Sequence, residues 1–184
     1  MFQWCSGLIS LDLSKWDTSN VTNMALMFYT AGKESTTFYI GDLSSWDTSN
    51  VTNMDQMFLH TGFNANTFNV GNLGNWNVSK VTNMSNMFDS AGHNATTWSI
   101  GDLSNWDTSS VTDMSYMFEH AGYSATTFNI GNLGGWNISN VTNMESMFED
   151  AGYSATTWSI GDLSNWKMSS VTNAKDLFYR SGYN

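Results

Sequence analysis

Basic residues are scarce in this chain of 184 residues. Six Lys and Arg stand against 16 Asp and Glu, a formal charge of −10, so a phosphate backbone would be repelled and nucleic acid is disfavoured as a partner. Cysteine occurs once, at Cys5, which excludes an internal disulfide framework and says little about compartment. No run of about twenty apolar residues exists, so no membrane insertion by this segment is expected. Met1-Phe2-Gln3-Trp4 has neither the basic region nor the apolar run of a secretory signal. Histidine is limited to His60, His93 and His120. No nucleophile has a base beside it, and there is no glycine-rich phosphate loop or Cys/His ligand cluster, so catalytic residues, metal and cofactors are expected to be absent.

What the chain has in abundance is itself. Trp16, Trp46, Trp76, Trp106, Trp136 and Trp166 are spaced thirty residues apart, as are Phe28 to Phe178, Val21 to Val171 and Gly32 to Gly182. A fixed period of this size marks a repeat architecture in which equivalent residues stack in columns. The register assigns residues 1–11 to an N-terminal cap or partial repeat, 12–161 to five 30-residue repeats and 162–184 to a truncated C-terminal repeat or cap. Trp4, Cys5, Leu8, Ile9 and Leu11 fall outside the register. Ala174 and Leu177 replace the Met pair in the last unit, where Lys167, Lys175 and Arg180 supply half the basic residues. Because that unit stops where the others continue into A-T-T-W, the chain reads as an excised segment.

Each unit carries two apolar spacings. Met54, Met57 and Phe58 at i, i+3 and i+4 predict a short helix. Thr52 or Asn53 would cap its start, Thr142 and Glu145 have capping-box spacing, and Gly62 would close it in the left-handed region. Phe68 and Val70 alternate with Thr67 and Asn69 and predict a strand with one buried face. Asp47 and Asn50 suit a corner. Strand, corner, short extended stretch, helix and return make one coil of an α/β solenoid. Six coils stacked about 4.8 Å apart give a rod about 29 Å tall, with the Trp, Phe and Met columns as its core.

Polar columns are the candidates for chemistry. His60 and His120 share a column but stand two coils apart, roughly 10 Å by the strand spacing, too far to share a metal. A solvated place at the helix end is their expected role. Two carboxylate columns begin at Asp12 and Asp17. From Asn72 and Asn77 onward they alternate Asp with Asn, the second ending at Lys167, which dilutes the repulsion of stacked charges, so turn capping is favoured over calcium between Asp12/Asp42 or Asp17/Asp47. N-x-S/T triplets such as Asn20-Val-Thr22 are turn and cap residues unless the chain enters a eukaryotic secretory route. The outward strand positions are Thr37, Thr67, Thr97, Thr127 and Thr157, with Tyr39, Asn69, Ser99, Asn129 and Ser159 beside them. An unbroken, uncharged ladder of this kind is the candidate binding face, although threonine also suits any half-exposed strand.

The recurring D-L-S-x-W-D-T-S-N-V-T-N-M-x-x-M-F resembles the repeat of BspA-like bacterial surface proteins, a divergent branch of leucine-rich repeats. The resemblance covers residues 12–184. The commoner repeat has 26 residues, and the extra ones here lie in A-G-x-x-A-T-T-F-x-I-G. It implies a leucine-rich-repeat-like α/β solenoid outside the cell, on the bacterial surface, with adhesive roles and no catalytic residues. The expected function is non-catalytic recognition or adhesion, binding a host or neighbouring-cell protein or glycan. The alternatives are a structural stalk or spacer and, less favoured because the column beside the threonines varies, ice binding through the Thr ladder.

Overall fold

The computed structural model describes all residues, Met1–Asn184. The backbone returns on itself every thirty residues. Parallel bridges join Asn23 to Asn53, Asn53 to Asn83, Asn83 to Asp113, Asp113 to Asn143 and Asn143 to Asn173. Four short strands, β1 (Thr67–Asn69), β2 (Thr97–Ser99), β3 (Thr127–Asn129) and β4 (Thr157–Ser159), form two parallel pairs. Thr67 lies opposite Thr97, and Thr127 opposite Thr157. Each central residue of β1 to β3 is buried: Phe68, Trp98 and Phe128.

The segment expected to be helical is not. The only helical elements are three-residue 3-10 turns at Leu73–Asn75, Leu133–Gly135 and Met168–Ser170. Over residues 54–62 the amides of Met54, Gln56, Phe58 and His60 donate to carbonyls of the next coil, at 3.0, 2.9, 2.8 and 2.9 Å. Met57, Leu59 and Thr61 instead donate three residues back, to Met54, Gln56 and Phe58. Gln56, His60 and Gly62 all have φ of 55°, which breaks any continuous right-handed run. The spacing i, i+3, i+4 therefore describes consecutive tight turns stacked on the neighbouring coil. The left-handed residues cost roughly 1–2 kcal/mol each, and the hydrogen bonds between coils offset that cost. The expected caps are reassigned as well. Asn53 Oδ1 accepts the Asp55 amide at 3.0 Å, while Thr52 Oγ1 donates to Thr22 of the preceding coil at 3.2 Å. Glu145 donates its own amide to Asn143 Oδ1, so no capping box forms with Thr142.

One core runs the length of the stack. Phe28, Phe58, Phe88, Phe118, Phe148 and Phe178 stack ring on ring at 5.3–5.5 Å. The indoles of Trp46, Trp76, Trp106, Trp136 and Trp166 donate to the carbonyl of a leucine in the preceding coil, at 2.8–3.0 Å. This column is thus held both by burial and by a satisfied polar handle. Trp16 has no such partner and is 39% exposed. Residues at the N-terminus pack on the first coil: Phe2 stacks on Phe28 at 5.6 Å and its amide donates to Met27. In the last coil Phe178 is 42% exposed.

Candidate functional site

The parallel register creates the strand face. Alternation buries Phe68 and exposes Thr67 and Asn69 on either side, and the same holds for Thr127 and Asn129. Thr37, Tyr39, Thr97, Thr157 and Ser159 are also exposed, and Ser99 is half-buried. All ten sequence-predicted residues therefore have some access to solvent, and none carries a formal charge. The row is not one continuous sheet, since hydrogen-bonded strands join β1 to β2 and β3 to β4 only. Asn69 and Asn129 are partly committed to structure, because their side chains accept the amides of Gly71 and Gly131 at 3.0 Å.

Beside these strands the chain kinks at glycines with left-handed backbone. Gly71 has a φ of +90°, and a Cβ there would stand 1.9 Å from Asp42 Oδ1. Two shallow depressions result. One of about 340 Å³ is bordered by Tyr39, Thr67 and Asn69, and another of about 290 Å³ by Ser99 and Asn129. The carboxylate columns next to them cap turns: Asp42 Oδ1 accepts the Ser44 amide and Asp47 Oδ1 the Ser49 amide, both at 2.9 Å. The hydroxyl and amide of Ser49 hold Asp47 below the usual carboxylate range, and Ser19 does the same for Asp17. The Asn72 oxygen serves two coils, accepting the Gly74 and Asp102 amides at 3.1 Å each.

A second surface lies along the turns. Phe63, His93, Tyr123 and Tyr153 stack face to face at 4.5, 4.6 and 4.6 Å, close to the coil spacing of about 4.8 Å. The guanidinium of Arg180 sits 5.3 Å from the Tyr153 ring. Beside this ladder the thirty-residue register sets Asp89 next to Glu119, and His120 faces Glu119 on one side and Asp150 on the other. Burial pushes Asp89 up to about 6. Burial, reinforced by the charge of Asp89, pushes Glu119 up to about 7. His93 is pushed down to about 4, by burial first and by His120 second. His60 is lowered by burial and by Lys33. The histidines are therefore half-buried turn residues with left-handed backbone at His60 and His120, not solvated groups at a helix end.

Sequence reasoning missed this cluster. Its signal was the column Tyr29, Leu59, Asp89, Glu119, Glu149, Tyr179, in which three successive acids accumulate without an intervening Asn. The column of His120 holds His60 two coils away and Asp150 one coil on, whereas Asp89 and Glu119 come from the column before it.

No curated protein and no solved structure matches the chain. A family model matches twice, over residues 1–94 and 59–183, overlapping in the middle of the stack. Together these two spans cover residues 1–183, and the chain belongs to the family described as Mycoplasma protein of unknown function, DUF285.

Proposed function

We propose that this chain is a stretch of a solenoid displayed at the bacterial cell surface, where it binds a protein or glycan without catalysing a reaction. The observation that supports this most is the strand face: paired threonines project outward in parallel register, with depressions of about 340 and 290 Å³ beside them. Hydroxyls and amides on a fixed backbone offer both donors and acceptors, and repeat proteins present binding surfaces of this regular kind. The ladder itself is uncharged and an exposed aspartate, Asp42 or Asp102, lines each depression, so the face suits a neutral, hydroxyl-rich glycan or a polar protein surface better than an anionic partner.

Binding of the purified chain to extracellular-matrix proteins and to a glycan array tests the reading. Thr67→Lys with Thr127→Lys would place two long cations on the exposed face, and binding is expected to weaken by roughly tenfold or more. Asn105→Lys, at an exposed position away from the strands, should leave it unchanged. Absence of binding on both panels, or equal binding by the two variants, would remove the strand face as a recognition surface. The first of these results would favour a spacer.

A further inference from the structure

The turn surface holds a set of groups that the recognition reading does not use. One ligand atom from each of Asp89, Glu119 and His120 lies within 4.8 Å of the others. The stacking of coils fixes this convergence, because His60 donates its amide to the Asp89 carbonyl at 2.9 Å and Ser90 donates to that of Glu119 at 2.7 Å. All three side chains belong to half-buried residues, so an ion can reach them from solvent.

The orientation of the His120 ring points the same way. Its Nε2 stands 3.2 Å from Asp150 Oδ2, and its Nδ1 stands 3.8 Å from Glu119 Oε1. Asp150 is 1% exposed and is held by Arg180, whose Nη2 donates to Oδ2 at 2.6 Å. A carboxylate anchored in this way is placed to accept a hydrogen bond from Nε2 and to fix the plane of the ring. With the ring so turned, Nδ1 faces Glu119, the side on which the three residues converge. Donors are short: Ser90 Oγ reaches Asp89 at 2.8 Å, no hydrogen bond reaches the Glu119 carboxylate, and the buried Oδ1 of Asp150 has no partner. Carboxylate, histidine and second carboxylate, with a further carboxylate behind the imidazole, form the arrangement that orients a metal-bound histidine.

We infer that Asp89, Glu119 and His120 bind one divalent transition cation of the Zn²⁺ class, with Asp150 and Arg180 as positioning residues behind His120. The imidazole ligand separates this site from all-oxygen sites that suit calcium or magnesium. Three protein ligands leave at least one coordination position open to water or to a group on a bound partner.

The test titrates ZnCl₂ into the full chain by calorimetry, with Cys5→Ser in every protein because the exposed thiol of Cys5 is itself a zinc ligand. Roughly one equivalent is expected to bind saturably, and Glu119→Gln and His120→Asn should each weaken binding by at least tenfold. Asn tolerates the left-handed backbone at position 120, and far-UV circular dichroism identifies any variant that has lost its fold. Should His120→Asn misfold, Glu119→Gln carries the test alone. His60→Asn removes a histidine outside the set and should bind as the parent does. No saturable binding, or the same affinity in the parent, Glu119→Gln and His120→Asn, would overturn the site. So would a loss of equal size in His60→Asn.

Discussion

Gly134 and Gly135 are adjacent in the chain and under opposite constraints. A Cβ on Gly134 would stand 2.0 Å from the Asp162 carbonyl oxygen of the next coil, whereas the nearest atom to one on Gly135 is 3.7 Å away. Neither has a left-handed φ, so the difference is space alone. Gly134→Ala is expected to destabilise by about 1–3 kcal/mol, and Gly135→Ala to change stability by less than about 0.5 kcal/mol. Chemical denaturation of the two variants measures this directly; equal effects would mean that the coils do not approach so closely there. His93 offers a pH-dependent counterpart. With its folded value near 4 and an unfolded value of about 6.5, the unfolded chain takes up a proton between these limits and the folded chain does not. Its contribution to stability is therefore complete above about pH 6.5 and falls as pH drops towards 4. Asp89, raised to about 6, and Glu119, raised to about 7, act in the other sense and lose stability as pH rises through that range. Phe63 already occupies the equivalent place one coil earlier, so His93→Phe should be tolerated. In chelator, its stability relative to the parent should rise by about 1 kcal/mol between pH 7.5 and pH 5, after discounting for the part-exposed ring. A difference that does not change with pH would show that His93 is not held neutral by its surroundings.

At the scale of the element, the instructive case is the turn ladder over residues 54–62. Gln56 occupies a column with Leu26, Asn86, Tyr116, Ser146 and Asp176 in which every residue is left-handed. Gln56→Gly should therefore stabilise the chain by up to about 1 kcal/mol, since glycine relieves the steric cost. In an α-helix the same change would cost about 1 kcal/mol. The sign of the shift in the denaturation midpoint separates the two structures, and destabilisation would restore the helix. The sequence could be read correctly at the strands, because the alternation of Thr67, Phe68, Asn69 and Val70 depends only on which face meets the core. It misled at Met54, Met57 and Phe58, because a helix and a succession of turns bury the same positions. What separates them is where the amides of Gln56 and Phe58 donate, and their acceptors at Ser85 and Met87 are remote in sequence. The Thr and Asn columns of the strand face could be counted from sequence for the same reason as the core. The Asp89, Glu119 and His120 set could not be read from any single column, because it draws on two neighbouring columns and two coils.

For the molecule as a whole, the repeat makes each coil the template for the next. The Phe spine and the Trp indoles bonded to leucine carbonyls run through successive coils without a break in register. The strand face, the aromatic ladder and the acidic cluster are therefore all products of one geometric fact, the thirty-residue return of the backbone. Were coils joined in another register, Thr67 would not lie beside Thr97, nor Asp89 beside Glu119. Through-hydrogen-bond NMR couplings between amide nitrogen and carbonyl carbon test that return most directly, on isotopically labelled, deuterated protein. The stacked-turn account predicts a coupling from the Phe58 nitrogen to the Met87 carbonyl carbon, matched by one from Phe88 to Met117. A coupling from Phe58 to Met54, the acceptor four residues back in an α-helix, would contradict it.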